Sequence, residues 1–297
     1  MLHRISRSLA PRAGASLTLS ALCLYGILGI SGPILAAETR PVPPAPAPPT
    51  VTYARLADLV LSSPAIARAK VTSAVALKPE QAPGLNPGQA RFYVEAETGG
   101  LIRGDSVIAR KIAFVMDGSA AKAKKPGLKG RTMLLFGRVG SPVNFLQLTS
   151  STALIDWSPA NEALVRKVLA DALAPDLPPA IKRISSAFHV PGSIVGESET
   201  QIFLETTSGA PISLSIIRRP DEQPHFSASL GEIVDDAATL PPPGTMLWYR
   251  LACGLPETLP DRALRSLDPA DAQAAASDYA AFRQALAPCD KAATPVI

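Results

Sequence analysis

A chain of 297 residues, 47% hydrophobic and 18% charged, is long enough to bury substantial cores and too apolar to be an extended disordered polymer. Its net charge of +4 leans on Arg4, Arg7 and Arg12, which precede an uncharged stretch from Ala13 to Ala37; without that segment the balance falls to +1. So even a balance, with 5% aromatic residues, argues against a nucleic-acid partner.

The N-terminal pattern is that of a secretory signal, residues 1–37: three arginines, an apolar heart from Leu17 to Ile30, helix breakers at Gly29, Ser31, Gly32 and Pro33, and small residues at Ala36 and Ala37 before Glu38. Cleavage is expected after Ala37, leaving no membrane span. Two alternatives stay open. The segment could be kept as an anchor, since about 20 apolar residues span a bilayer. Cys23 could be lipid-modified, although Leu22 stands where a small residue is wanted. The signal points to a periplasmic or secreted protein. Residues 38–50 hold the run PVPPAPAPPT, Pro41 to Thr50, an extended spacer that cannot pack.

Residues 51–177 read as a β-structure with a helix at each end. Thr52 caps a short helix with Leu56, Leu59 and Val60 on one face. Alternation of Ala67, Ala69, Val71, Val75 and Leu77 with Arg68, Lys70 and Thr72 marks a strand, as does that of Ala90, Phe92, Val94 and Ala96 with Arg91, Tyr93, Glu95 and Glu97. Runs at Ile112–Met116, Thr132–Val139 and Asn144–Thr149 bring the count to five. Ser158 and Pro159 then open a helix carrying Leu164, Val165, Val168, Leu169, Ala172 and Leu173, stopped by Pro175. Five strands with a closing helix predict a small OB-like barrel or a five-stranded sandwich. On an OB-like face, Arg68, Lys70, Arg91 and Tyr93 are the candidate ligand-binding side chains; the competing reading is a solvated outer face. Five basic residues between Lys122 and Arg131 could hold phosphates or acidic glycans, but without interleaved aromatics they read as a solvated hairpin loop.

The proline cluster APDLPPA, Ala174 to Ala180, is the expected domain boundary. Residues 178–297 then offer four strands, ISSAFHV, QIFLETT, ISLSIIRR and HFSASL, with Ser208 and Gly209 turning a hairpin whose buried face is Ile202, Leu204, Ile212, Leu214 and Ile216. Thr245 caps MLWYRLAC, with Gly254 past its end, and Asp268 with Pro269 opens an alanine-rich helix to about Ala287. The whole is α+β and β-rich, a barrel or sandwich followed by a small antiparallel sheet with C-terminal helices. Charge divides unevenly: 17 basic and 11 acidic residues lie in 38–177, against 9 and 14 in 178–297.

Chemistry is weakly signalled. His189 and His225 would need carboxylates such as Glu197, Glu199, Glu232, Asp235 or Asp236 to form a metal or general-base site, and no HExxH spacing exists. Ser193 and Ser198 lie in PGSIVGESE, which is no nucleophile elbow. Arg218 and Arg219 could bind an anion, or simply end a strand. Trp248 and Tyr249 fall among apolar Leu247 and Leu251 and suit a core. No metal or cofactor is implied. Loss of Cys23 with the signal leaves Cys253 and Cys289, which are expected to pair in an oxidising compartment, the alternative being two buried thiols.

The blocks GESETQIFL, SLGEIVD and WYRLACGLP, with the RRP turn, resemble a set of exported alphaproteobacterial proteins with no assigned activity; the likeness runs from about Tyr53 to Pro260 and implies export and two domains, but no catalytic residue. Two functions remain open: a non-enzymatic binding or envelope-assembly protein whose partner is an envelope protein or glycan, and an envelope hydrolase with a site near His225 and Glu232.

Overall fold

The computed structural model describes residues 48–105, 107–231, 238–292 and 296. The signal segment with Cys23, the spacer up to Ala47, and Glu232, Asp235 and Asp236 lie outside them.

Thr52 accepts a hydrogen bond from the Arg55 N–H and so caps α1 (Tyr53–Ser62), which buries Leu56, Leu59 and Val60 together with Tyr53, Ala54 and Ala57. Sheet A follows: β1 (Ala65–Ala76), β2 (Gln89–Arg103), β3 (Lys111–Ser119), β4 (Thr132–Val139) and β5 (Leu146–Leu148), in the order β3-β2-β1-β4-β5, with β6 (Leu154–Asp156) also on β4. Every pairing is antiparallel. The sheet curls into a half-barrel because β1 breaks register between Val71 and Ser73, and bulges bend a strand. A parallel bridge between Ala113 and Phe145 brings β3 to the β4–β5 loop and closes the curl. Side chains that alternate inward, among them Val71, Phe92, Val94, Phe114, Met116, Met133 and Leu135, fill the barrel. The extra strand β6, three residues long, has no counterpart among the five strands expected from sequence.

The Lys122–Arg131 segment is no hairpin. It links β3 to β4, which are not neighbours, so it crosses an end of the barrel and is pinned there by Leu128, 1% exposed. Helix α2 (Pro159–Ala172) starts as its sequence dictates, with the Ser158 hydroxyl accepting from the Asn161 N–H and Pro159 in the first turn.

Sheet B is a four-stranded antiparallel layer in the order β10-β9-β8-β7: β7 (Ile181–Pro191), β8 (Ser198–Thr206), β9 (Ile212–Arg218) and β10 (His225–Ser229). Its inner face carries Ile202, Leu204, Ile212, Leu214 and Ile216, all fully buried. Against it lie α3 (Met246–Gly254), α4 (Asp261–Leu264) and α5 (Pro269–Ala285). Gly254 is the last residue of α3 rather than one beyond it, and Leu255 is the cap. Asp268 occupies the N-cap of α5 but makes no capping hydrogen bond through its side chain. Cys253 and Cys289 stand at disulfide distance, with Sγ atoms 2.11 Å apart.

One core cluster joins residues on both sides of the proline cluster 174–180. Tyr53, Leu56, Leu59 and Val60 of α1 and Val165 and Val168 of α2 pack with sheet B and with Trp248, Leu251, Tyr279 and Phe282. Tyr53 meets Trp248 edge-to-face at 6.3 Å, and its hydroxyl donates to Asp171 at 2.8 Å. The Tyr249 hydroxyl donates to Asp58 on α1. Burial and the adjacent carboxylates push both phenols well above their ordinary pKa. Among the described residues no helix is long and apolar enough to cross a membrane.

Candidate functional site

The alternation that puts Phe92, Val94 and Ala96 inside the barrel puts Tyr93, Glu95 and Glu97 on its outer face. Register sets their neighbours. Tyr93 lies between Val75 and Val115, Glu95 between Ser73 and Ala113, and Glu97 between Lys70 and Lys111. Ala113 is too short to fill the row it shares with Glu95. The bulged Thr72 turns its hydroxyl to the Glu95 carbonyl at 3.1 Å, and the Asn144 carbonyl accepts from the Ala113 N–H at 2.8 Å, bringing the β4–β5 loop alongside. The result is a hollow of about 310 Å³ floored by Ala96, Ile112 and Ala113 and walled by Thr72, Tyr93, Glu95, Glu97, Lys111 and Asn144. Tyr93 is 40% exposed there.

Charge in the hollow is unevenly balanced. Glu97 has a lysine opposite it on each neighbouring strand, whereas Glu95 faces a serine and an alanine. Glu95 therefore keeps a carboxylate with no cation across either strand.

Of the four barrel side chains read from sequence as ligand-facing, Lys70 and Tyr93 remain on this open face. Arg91 is committed elsewhere, gripping Asp117 through Nε at 2.7 Å and Nη2 at 3.1 Å. That fork holds the Asp117 carboxyl below its ordinary range and raises the guanidinium in turn. Arg68 sits 5.5 Å over the Trp157 ring and bonds Glu162 at 3.0 Å. Burial works against the Glu162 carboxylate, but the Trp157 N–H at 2.6 Å, Arg166 and Arg68 outweigh it and hold its pKa down.

On sheet B the four polar residues His189, Thr200, Arg218 and Asp278 meet. Asp278, 2% exposed, reaches in from α5; it accepts from Thr200 Oγ1 at 2.5 Å and from Arg218 Nε at 2.5 Å. His189 Nδ1 lies 2.8 Å from the same Thr200 hydroxyl and 3.7 Å from the carboxylate. Thr200 is fully buried, so a substrate cannot reach its hydroxyl, and the cluster ties a helix to a sheet. Arg219 is exposed and lies 3.8 Å from Glu222. His225 is exposed at the start of edge strand β10, and the acidic residues read as its partners at 232, 235 and 236 lie outside the described residues. Ser193 lies in the β7–β8 turn and Ser198 opens β8 opposite Arg218. In the Lys122–Arg131 crossing, the four lysines are exposed, while Arg131 is held by Asp156 at 3.0 Å. Trp248 and Tyr249 are buried.

A wider hollow of about 570 Å³ opens on sheet B beside Ser185, Ser186, Phe203 and Glu205. Its carboxylate is already taken, because Lys182 at 2.8 Å and Arg183 both hold Glu205 and lower its pKa. The barrel hollow is smaller, and its Glu95 carboxylate has no cation across either strand. Sequence reasoning named Tyr93 and Lys70 and placed Glu95 and Glu97 in the same alternation without singling them out, whereas Lys111 and Asn144 come from separate segments that only pairing with β3 brings alongside. Among the described residues no three His, Cys, Asp or Glu side chains cluster as metal ligands would. In comparisons with known proteins, the chain matches no family model and no curated sequence.

Proposed function

We propose that this is a non-enzymatic binding or assembly protein of the cell envelope, exported by its N-terminal signal, which receives its partner on the outer face of the OB-like barrel. The observation that carries the reading is the hollow at Tyr93 and Glu95, where a half-exposed ring and an uncompensated carboxylate share a concave surface. Strands 2 and 3 and the β4–β5 loop form the face through which barrels of this type bind extended ligands. Export is supported by the charge layout of residues 1–37, and the Cys253–Cys289 pair suits an oxidising compartment.

The test compares the full protein with Tyr93→Ala and Glu95→Gln for capture of glycan and protein from solubilised envelope. Both side chains are outside the core, so each variant should keep the parent's melting temperature within a degree or two. Capture should fall by about tenfold in either variant, the worth of a single good contact. Undiminished capture by both variants would sink the proposal.

A further inference from the structure

We propose that the barrel hollow takes an amino sugar, a pyranose ring carrying a free ammonium group, as one unit of a glycan; this rests on the barrel face being the binding surface. An anion seated between Tyr93 and Glu95 would meet the Glu95 carboxylate with no cation across either strand. Glu97 is offset by Lys70 and Lys111, but Glu95, opposite Ser73 and Ala113, is not. A ligand ammonium supplies the missing charge and makes a charge-assisted hydrogen bond with the exposed carboxylate.

Tyr93 stands two residues from Glu95 on the same face, about 7 Å along the strand. Its ring is free to receive the apolar face of a saturated ring and to attract a nearby cation. The remaining lining groups are mixed: the Asn144 amide both donates and accepts, and the Lys111 ammonium only donates. Mixed donors and acceptors match hydroxyl groups, which can do either. Lys70 and Lys111 both stand in the Glu97 row at one end of the hollow, so a second ligand ammonium reaching that row meets two lysines against one carboxylate, and a single ammonium is favoured over a run of basic residues in a peptide. A volume of about 310 Å³ is at the small end of ligand sites and suits one ring with its substituents.

The probes are a β-1,4 trisaccharide with glucosamine as its middle ring between two N-acetylglucosamines (the glucosamine trisaccharide, one ammonium), its fully N-acetylated counterpart and trilysine, titrated into the full protein at low salt and followed by calorimetry and backbone amide shifts. The glucosamine trisaccharide should bind at least tenfold more tightly than the acetylated one, moving the amides of Tyr93, Glu95 and Ala113. Glu95→Gln should abolish that preference and leave the weak binding of the acetylated form as it was. No binding of the glucosamine trisaccharide, equal or tighter binding of the acetylated form or of trilysine, or a preference that survives Glu95→Gln, each overturns the assignment. If the acetylated sugar binds tightly and Tyr93→Ala weakens it, the ligand class is wrong and the barrel face stands. If none of the three binds and Tyr93→Ala captures envelope material as well as the parent, both readings fail.

Discussion

At Gly137 a β-carbon would stand 2.2 Å from the Gln147 carbonyl oxygen and 3.0 Å from the Leu148 Cα. Glycine is needed there for space, since both obstacles are backbone and β5 cannot retreat without breaking its ladder with β4. Gly137→Ala should therefore cost about 1–3 kcal/mol, in the range of overpacked cores. A urea titration should show a lower midpoint at unchanged slope. The same closeness explains what a sequence hides at this scale. Arg68 and Arg91 read as free cations on polar strand faces, yet their partners Glu162 and Asp117 lie 94 and 26 residues away. Tyr93, by contrast, stays 40% exposed.

Elements were more legible than side-chain contacts, because they announce themselves by period and punctuation. Strand runs placed β1 to β5 and all of sheet B, and Thr52, Ser158 and Thr245 each cap the helix they precede in sequence. Two short elements escaped: β6 spans three residues and α4 four. Strand order escaped as well. A basic turn between consecutive strands looks like a hairpin until one knows that β4 pairs with β1. Helix α5 shows what fixes an element whose own stripe is weak, being largely alanine. Besides Tyr279 and Phe282 it offers Asp278, which binds Thr200 and Arg218 on two strands. Asp278→Ala should cost about 2–3 kcal/mol, less than the roughly 3–5 kcal/mol of a fully enclosed pair because the Arg218 side chain is 36% exposed. Hydrogen exchange should quicken along α5 well before it does in sheet A.

Across the whole molecule, the sulfur pair does more than close a loop. The chain between Cys253 and Cys289, 36 residues apart, contains α4 and α5, the two helices that cover β7. In the chain-entropy picture that closure contributes roughly 3.5–4 kcal/mol. Reduction should accordingly lower the melting temperature by about 8–15 °C for a fold of this size. Equal melting of the oxidised and reduced protein would show that the unfolded chain gains little freedom when the bond is cut. The folded part also has an uneven charge, more basic before Leu177 and more acidic after Pro178, and the shared core holds those two portions together.

The grip at the two ends of this fold sets how it bears a pull. Buried Asn161 holds Thr50 through two hydrogen bonds, of 2.9 Å to its N–H and 3.1 Å to its hydroxyl. Two residues on, the Thr52 hydroxyl donates to the Asp290 carbonyl at 2.6 Å, and Lys291 reaches Asp58 at 3.0 Å. Tension applied through the spacer and the tail thus enters and leaves at one corner, beside α1. Cys289, one residue from Asp290, ties the tail through the sulfurs to α3, and farther on the Val296 carbonyl accepts from Arg131 at 2.9 Å, just before β4. A tether fixed there would load α1, which residues near both ends of the fold grip.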